Sequence, residues 1–213
     1  MKYNAVLFDL DGTLINTDLY VVCNYVHLFE KHNVKLPTLK EMVYFSGPPL
    51  VEVFSKYLPD LDPKMLKKEF SDYALENLNR MSKLYDHEIE MLTSLKKQGV
   101  KLGLVTNKAK ESTFDCLRYF GLDKFFDCVY YLEKCEKCKP DPWPLVNCCK
   151  DLNEDIKHCL YVGDDKYDII ASTKANMDSV LVKFGLKEGL EEYNPTYIIK
   201  SYLELERIVY GRK

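Results

Sequence analysis

Short apolar runs of strand length alternate along the chain with segments whose apolar positions recur at helical spacing. The apolar runs cover residues 5–8, 102–106, 129–132, 159–162, 180–182 and 197–199. The helical segments between them cover residues 88–98, 110–120, 142–152 and 167–175. Because strands that alternate with helices are joined by right-handed crossovers, the pattern predicts an α/β fold, a Rossmann-like parallel sheet with helices on both faces.

Residues 17–83 interrupt this alternation. Three apolar sets in the stretch have the spacing of helices rather than strands: Val21, Tyr25, Leu28 and Phe29; Val51, Phe54 and Leu58; and Leu66, Phe70, Tyr73 and Ala74. Such a stretch is too long to be an ordinary loop in a compact domain. We therefore expect a catalytic core formed by residues 1–16 and 84–213, with a small helical cap domain, residues 17–83, inserted after the first strand.

Composition narrows the class of protein. The 213 residues are 46% hydrophobic and 30% charged, with a formal net charge of −3, which gives no basis for nucleic acid or an anionic membrane as a partner. The apolar run at residues 5–8 is too short for a secretory or membrane segment and ends at Asp9. We expect a cytoplasmic protein, and the oligomeric state, monomer or dimer, stays open.

Eight cysteines occur in the chain, and Cys135-x-x-Cys138 followed by Cys148-Cys149 raises the question of a zinc or redox site. A clean second CxxC pair is missing, and His158, the nearest histidine, is not at ligand spacing. Free thiols on and beside a loop are the preferred interpretation. Whether Cys135 and Cys138 bind a metal or respond to redox conditions stays open.

Polar residues that could carry chemistry follow four of the predicted strands. They are Asp9 and Asp11 after the first, Thr106-Asn107-Lys108 after the second, Lys139-Pro140-Asp141-Pro142 in the loop after the third, and Gly163-Asp164-Asp165-Lys166-Tyr167-Asp168 after the fourth. Ligands of open α/β sheets bind outside the carboxyl ends of the strands. We therefore expect these side chains to meet at one edge of the sheet.

Several carboxylates in one cleft repel each other unless a cation binds among them. Oxygen ligands without an accompanying histidine or cysteine suit Mg²⁺. Phosphate chemistry fits the rest, since Lys139, Thr106 and Asn107 could share the neutralisation of an anionic substrate with the metal. Gly12 would let the backbone turn sharply beneath the site. Each segment alone could be a helix cap or a turn. The argument for phosphate chemistry depends on the order of the segments and on each one following its own strand.

In that order the segments resemble the motifs of the haloacid dehalogenase superfamily over essentially the whole chain. Asp9-Leu10-Asp11-Gly12-Thr13-Leu14 is similar to the first motif, Thr106 to the second, Lys139-Pro140 to the third and Gly163-Asp164-x-x-x-Asp168 to the fourth. The residues from 17 to 83 resemble the cap that members carry after the first strand.

The resemblance implies a mechanism. Asp9 would form an aspartyl-phosphate intermediate, and Asp11 would protonate the leaving oxygen and then activate water. Mg²⁺ would be held by Asp9, the main-chain carbonyl of Asp11 and Asp164, with Asp168 farther out or bridging through water. Thr106 and Lys139 would complete the catalytic set. Dehalogenase members lack an acid at the position of Asp11, because a halide needs no proton, so phosphoryl transfer is favoured.

The substrate is less constrained. Tyr44-Phe45-Ser46-Gly47-Pro48-Pro49-Leu50 resembles a cap segment of phosphoglycolate phosphatase-like proteins and of the related bacterial pyrophosphatases. Gly47 and Pro48, with Thr13 and Asn107, are therefore predicted to bind substrate, although a rigid turn between helices explains the segment equally well.

A small phosphorylated metabolite is the expected partner. The first hypothesis is a phosphatase acting on a small phosphomonoester, with 2-phosphoglycolate as the named substrate, and the alternative is an inorganic pyrophosphatase. A phosphomutase resembling β-phosphoglucomutase is disfavoured, since those proteins usually carry an acid where Gly163 stands. A non-enzymatic interaction protein on the same fold is disfavoured by the full set of catalytic residues.

Two positions depart from the family pattern. Tyr85-Asp86-His87 stands where relatives usually have Pro-Gly, so the hinge of the cap is expected to differ. Asp165 stands where relatives often have Ser or Asn. This extra acid would either tighten metal binding or cap the following helix.

Overall fold

The computed structural model describes residues 1–211, apart from the side chain at position 79. The strands are β1 (Ala5–Phe8), β2 (Ile15–Asn16), β3 (Lys83–Leu84), β4 (Lys101–Val105), β5 (Cys128–Tyr130), β6 (Cys159–Gly163), β7 (Asp178–Val182) and β8 (Tyr197–Ile199). The helices are α1 (Asp18–Lys31), α2 (Leu39–Met42), α3 (Leu50–Tyr57), α4 (Pro63–Met81), α5 (Glu88–Lys97), α6 (Lys110–Tyr119), α7 (Trp143–Asp151), α8 (Lys166–Ala175) and α9 (Tyr202–Tyr210).

The centre of the molecule is a six-stranded sheet in the order β5-β4-β1-β6-β7-β8, and its neighbouring strands run parallel. β1 lies between β4 and β6, and all four of its residues are fully buried. Val6 and Phe8 join the hydrophobic cluster on one face, whereas Ala5 and Leu7 join the cluster on the other. Alternating side chains of a strand point to opposite faces, so β1 contributes to both halves of the core.

The insertion after β1 contains α1 to α4, and α1 packs along α4. Tyr25 lies at its centre, with its ring 4.8 Å from that of Phe45 and 5.0 Å from that of Phe70. Asp62 precedes the long helix α4, and its side chain accepts a hydrogen bond from the backbone N–H of Lys64. Pro63 is the first residue of the helix. Both residues favour a helix start at this point. The buried apolar side chains of the insertion belong to the same hydrophobic cluster as those on one face of the sheet.

A two-stranded antiparallel pair, β2 with β3, lies where the chain enters and leaves the insertion. Ile15 is opposite Leu84, and Asn16 is opposite Lys83. The predicted domain limits, 16/17 and 83/84, coincide with this pair. The division into two domains at these residues stays a prediction.

The structure confirms the α/β fold with a parallel sheet and a helical insertion. The six predicted strands and four core helices are present with ends shifted by no more than two residues. The sequence pattern did not predict β2, β3, α2 or α9. Within residues 1–211, none of the helices is long and apolar enough to cross a membrane.

Candidate active site

Three buried aspartates meet at the carboxyl end of the sheet. Asp9 follows β1, Asp164 follows β6, and Asp168 lies in the first turn of α8. One carboxylate oxygen of each lies within 4.8 Å of the others. An oxygen-only set of this kind fits a hard divalent cation such as Mg²⁺. The predicted convergence of strand-end carboxylates is therefore present.

Lys139 lies within this cluster. Its ammonium is 2.9 Å from Oδ1 of Asp9 and 2.7 Å from Oδ1 of Asp168. Burial raises the pKa of Asp9 to about 6, with Lys139 opposing the shift and Asp168 adding to it. Burial likewise raises the pKa of Asp164 to about 7. Lys139 contacts two of the three carboxylates, those of Asp9 and Asp168, and a bound cation would favour the charged forms of all three.

Asp168 has its hydrogen-bonding capacity committed to the protein. Its Oδ2 accepts the backbone N–H groups of Asp164, at 3.1 Å, and Asp165, at 3.0 Å. Its Oδ1 accepts the ammonium of Lys139 and the hydroxyl of Tyr161. This geometry favours the outer position that the resemblance implied, in which Asp168 shapes the loop and holds Lys139.

Asp11 is paired with Lys108, a lysine that was expected at this edge of the sheet but was given no role in the site. The Nζ of Lys108 is 3.2 Å from Oδ1 and 2.8 Å from Oδ2 of Asp11, and both side chains are largely buried. The pair lines a cavity of about 290 Å³ between the insertion and the core. Lys108 comes two residues after Thr106, so its position after a strand was the available signal.

Asn107 joins the insertion to the core. Its Nδ2 donates to the carbonyl of Gly47, at 3.1 Å, and to the carbonyl of Lys139, at 3.0 Å. Thr106 and Gly47 line the same narrow cleft as Asp9. Pro48 lies elsewhere, in the wall of the cavity beside Asp11. The predicted catalytic residues thus lie together, and Gly47 and Pro48 of the insertion border them.

Thr13 was predicted to bind substrate, but the structure places it beneath the site. It is fully buried, and its hydroxyl donates to Oδ1 of Asp164 at 3.0 Å. Gly12 beside it has φ +79, and a Cβ there would lie 2.2 Å from Oδ2 of Asp164. Glycine meets both conditions because it tolerates positive φ and carries no Cβ. This part of the first motif therefore positions Asp164.

Lys187, a lysine outside the four motifs, contacts Asp164. Its Nζ is 2.7 Å from Oδ2 of Asp164 and 2.8 Å from Oδ2 of Asp165, and its side chain is 4% exposed. Asp165 also accepts the backbone N–H of Tyr167 at 3.0 Å and caps α8. The alternative that Asp165 caps the following helix is thus present in the structure. Lys187 lies in a loop well past β7, and its sequence offered no comparable signal.

The sequence profile of the haloacid dehalogenase-like hydrolases matches residues 6–182. The chain belongs to this family. It is 33% identical to the pyrophosphatase PpaX of Halalkalibacterium halodurans over 214 residues, which cover 98% of each protein. It is 34% identical to the pyrophosphatase PpaX of Bacillus mycoides over 210 residues, which cover 96% of each.

Solved structures of the family have the same fold. A crystal structure described as a predicted phosphoglycolate phosphatase from Haemophilus somnus has a TM-score of 0.89 and 26% identity, and 98% of each chain is covered. A predicted phosphatase from Clostridium acetobutylicum has a TM-score of 0.80 and 28% identity, covering 98% of this chain and 99% of that one. This haloacid dehalogenase-like chain therefore shares its overall fold with these relatives.

Proposed function

We propose that the protein is a magnesium-dependent inorganic pyrophosphatase that splits pyrophosphate into two phosphates. The observation that carries the proposal is the contact of Lys108 with both carboxylate oxygens of Asp11. If Asp11 protonates the leaving oxygen, Lys108 lies where the leaving group carries charge. A departing phosphate is an anion that a neighbouring ammonium stabilises. The full-length relatives named as pyrophosphatases support the same substrate.

In the proposed first step, a carboxylate oxygen of Asp9 attacks one phosphorus atom. The new O–P bond forms as the bond to the bridging oxygen breaks, and Asp11 gives that oxygen its proton. The product is an aspartyl-phosphate and one free phosphate. Lys139 holds Asp9 in place, and Thr106 and Asn107 border the transferred group.

In the second step, Asp11 takes a proton from water, and the water oxygen attacks the phosphorus of the aspartyl-phosphate. The O–P bond to Asp9 breaks, which regenerates the carboxylate and releases the second phosphate. Asp9, Asp164 and the main-chain carbonyl of Asp11 would hold Mg²⁺, which supplies positive charge for the phosphoryl oxygens. Lys139 and Asp168 hold these ligands in position, because Lys139 contacts Asp9 and Asp168 accepts the backbone N–H of Asp164.

A second candidate substrate is a small phosphomonoester such as 2-phosphoglycolate. The favouring observation is the apolar part of the 290 Å³ cavity wall, which includes Tyr20, Val21, Phe45 and Phe70. A leaving phosphate needs no apolar surface, whereas the carbon skeleton of an ester gains from one. The sequence motifs favour this substrate, whereas the relatives named as pyrophosphatases support pyrophosphate more strongly.

The test compares phosphate release from pyrophosphate, 2-phosphoglycolate and a panel of nucleotides and sugar phosphates, with Mg²⁺ and with a chelator. We expect kcat/KM for pyrophosphate to exceed that for any monoester at least about tenfold. Asp9→Asn should lower kcat by about 10⁴-fold or more, whereas Asp60→Asn, an exposed acid of the insertion, should not. A preference for 2-phosphoglycolate would select the second candidate, and an active Asp9→Asn variant would exclude Asp9 as the nucleophile.

A further inference from the structure

The loop between β7 and β8 places a buried cation against the acid cluster. Lys187 has 4% of its side chain exposed, and its ammonium contacts Oδ2 of Asp164 and Oδ2 of Asp165. A lysine is almost never buried to this degree unless an acid pairs with it. The pairing is therefore part of how this site is built, although Lys187 belongs to none of the four motifs.

The carboxylate of Asp164 already accepts hydrogen bonds from two side chains. Its Oδ1 accepts the hydroxyl of Thr13 at 3.0 Å, and its Oδ2 accepts the ammonium of Lys187 at 2.7 Å. A divalent cation bound by Asp164 would share that carboxylate with the ammonium. Two cations a few ångströms apart repel each other strongly in a buried site. Lys187 and the metal therefore compete for Asp164.

Asp165 gives Lys187 another partner within reach. Its Oδ2 is 2.8 Å from the ammonium, while its Oδ1 accepts the backbone N–H of Tyr167 and is fixed at the start of α8. The lysine can leave Asp164 and keep an ion pair. Asp165 and Lys187 thus form a matched pair of charges.

The backbone around Lys187 is held on both sides. The N–H of Leu186 donates to Oδ2 of Asp18 at 3.0 Å, and the N–H of Glu188 donates to the hydroxyl of Tyr44 at 3.0 Å. Both partners belong to the insertion. With its backbone held, Lys187 would change partner by side-chain rotation alone.

We propose that Lys187 is the resident counter-ion of the metal site. Without bound Mg²⁺, Lys187 pairs with Asp164 and neutralises its charge. When Mg²⁺ binds to Asp164, Lys187 pairs with Asp165 alone. Mg²⁺ affinity is then set by the balance between Lys187 and Asp165. The inference rests on the metal site of the proposed function and is independent of which phosphate compound is the substrate.

Calorimetric titration of Mg²⁺ into the full-length protein without substrate tests this competition. Lys187→Met should bind Mg²⁺ on the order of tenfold more tightly than wild type, because the competing charge is gone. Asp165→Asn should bind it on the order of tenfold more weakly, because Lys187 then has Asp164 as its remaining partner. The double variant should bind Mg²⁺ within about threefold of Lys187→Met, because Asp165→Asn acts through Lys187 and the two changes are not additive.

Lys183→Met is the matched control, since Lys183 lies in the same loop but pairs with Glu191; its Mg²⁺ affinity should stay within about twofold of wild type. A second readout is thermal unfolding. Lys187→Met should melt lower than wild type without metal and gain more from Mg²⁺. If Lys187→Met does not fold, the weaker binding of Asp165→Asn still decides the matter.

Unchanged or weaker Mg²⁺ binding by folded Lys187→Met, or unchanged binding by Asp165→Asn, would overturn this inference alone. A wild-type protein that binds no Mg²⁺ would overturn the metal site and this inference together. A preference for a substrate other than pyrophosphate would contradict the proposed function and leave the Mg²⁺ comparison intact.

Discussion

Lys108 contacts both carboxylate oxygens of Asp11 from the wall of the cavity. In the proposed mechanism, its charge therefore acts where the leaving group departs. Lys108→Met keeps the length of the side chain and removes this charge. We expect kcat for pyrophosphate to fall about 100-fold, because a developing anion loses its stabilising cation. Steady-state kinetics measure this effect. Lys110→Met, an exposed lysine two residues on, is the control, and equal kinetics in both variants would contradict the role of Lys108.

Glu88, at the start of α5, gives stability a pH dependence of its own. Burial raises the pKa of Glu88 from 4.5 to about 9, although the backbone at Tyr85 opposes the shift. Between these values the folded protein holds a proton that the unfolded chain has released, so the free energy of unfolding falls as pH rises. Glu88→Gln removes this contribution. Its stability relative to wild type should increase by as much as about 3 kcal/mol from pH 6 to pH 8.

Urea denaturation at the two pH values measures this difference. Glu90→Gln is the matched control, because Glu90 lies in the same helical turn and is exposed. Its stability relative to wild type should be the same at both pH values. Parallel pH dependence in wild type and Glu88→Gln would show that Glu88 ionises normally in the folded protein.

The connection between α2 and α3 brings the insertion against the core at Gly47. A Cβ at this position would lie 2.6 Å from the carboxylate of Asp165, which Lys187 and the Tyr167 N–H hold in place. The methyl group of Gly47→Ala should therefore push this part of the insertion away from Asp165. We expect kcat/KM to fall at least about tenfold. Steady-state kinetics and circular dichroism together separate this loss from unfolding.

A rescue experiment provides the control for that prediction. Asp165→Ser shortens the side chain that the new methyl group would meet. Gly47→Ala should cost much less activity in this background than in the wild type. An equal cost in both backgrounds would place the effect of Gly47 in the backbone of the turn.

The elements that the sequence could predict are those with a regular apolar pattern. β1, β4 and β6 are buried runs, and chain direction in a parallel sheet then brings the residues after them to one edge. The convergence of Asp9, Thr106 and Asp164 follows from that rule. Short segments such as β2 and β3 carry too few residues for a period to be visible.

Lys108 and Lys187 show which contacts cannot be predicted from the sequence. Lys108 lies directly after a strand, so its neighbourhood could be inferred, whereas its pairing with Asp11 depends on side-chain geometry. Lys187 lies five residues past the end of β7, in a loop whose path is set by contacts with Asp18 and Tyr44. Such tertiary contacts leave no periodic signal in the sequence.

In the molecule as a whole, hydrogen bonds of Tyr44, Asp18 and Asn107 join the insertion to the core. Tyr44 makes two of them, donating to the carbonyl of Glu188 at 2.6 Å and accepting from its N–H at 3.0 Å. The relative position of the two parts is then sensitive to single bonds, each contributing about 1 kcal/mol. Tyr44→Phe should weaken the closed arrangement and raise KM about fivefold, while the free energy of unfolding of the core stays unchanged.

Hydrogen exchange measured by mass spectrometry follows this opening directly. Peptides from residues 39–58 and 183–190 should exchange faster in Tyr44→Phe than in wild type, because both lose the contact that joins them. Peptides from β1 and β6 should be unaffected, since the sheet makes its own contacts. Tyr119→Phe, at a tyrosine that is 52% exposed, is the control. If the exchange of both segments and KM match wild type, contacts other than Tyr44 hold the insertion against the core.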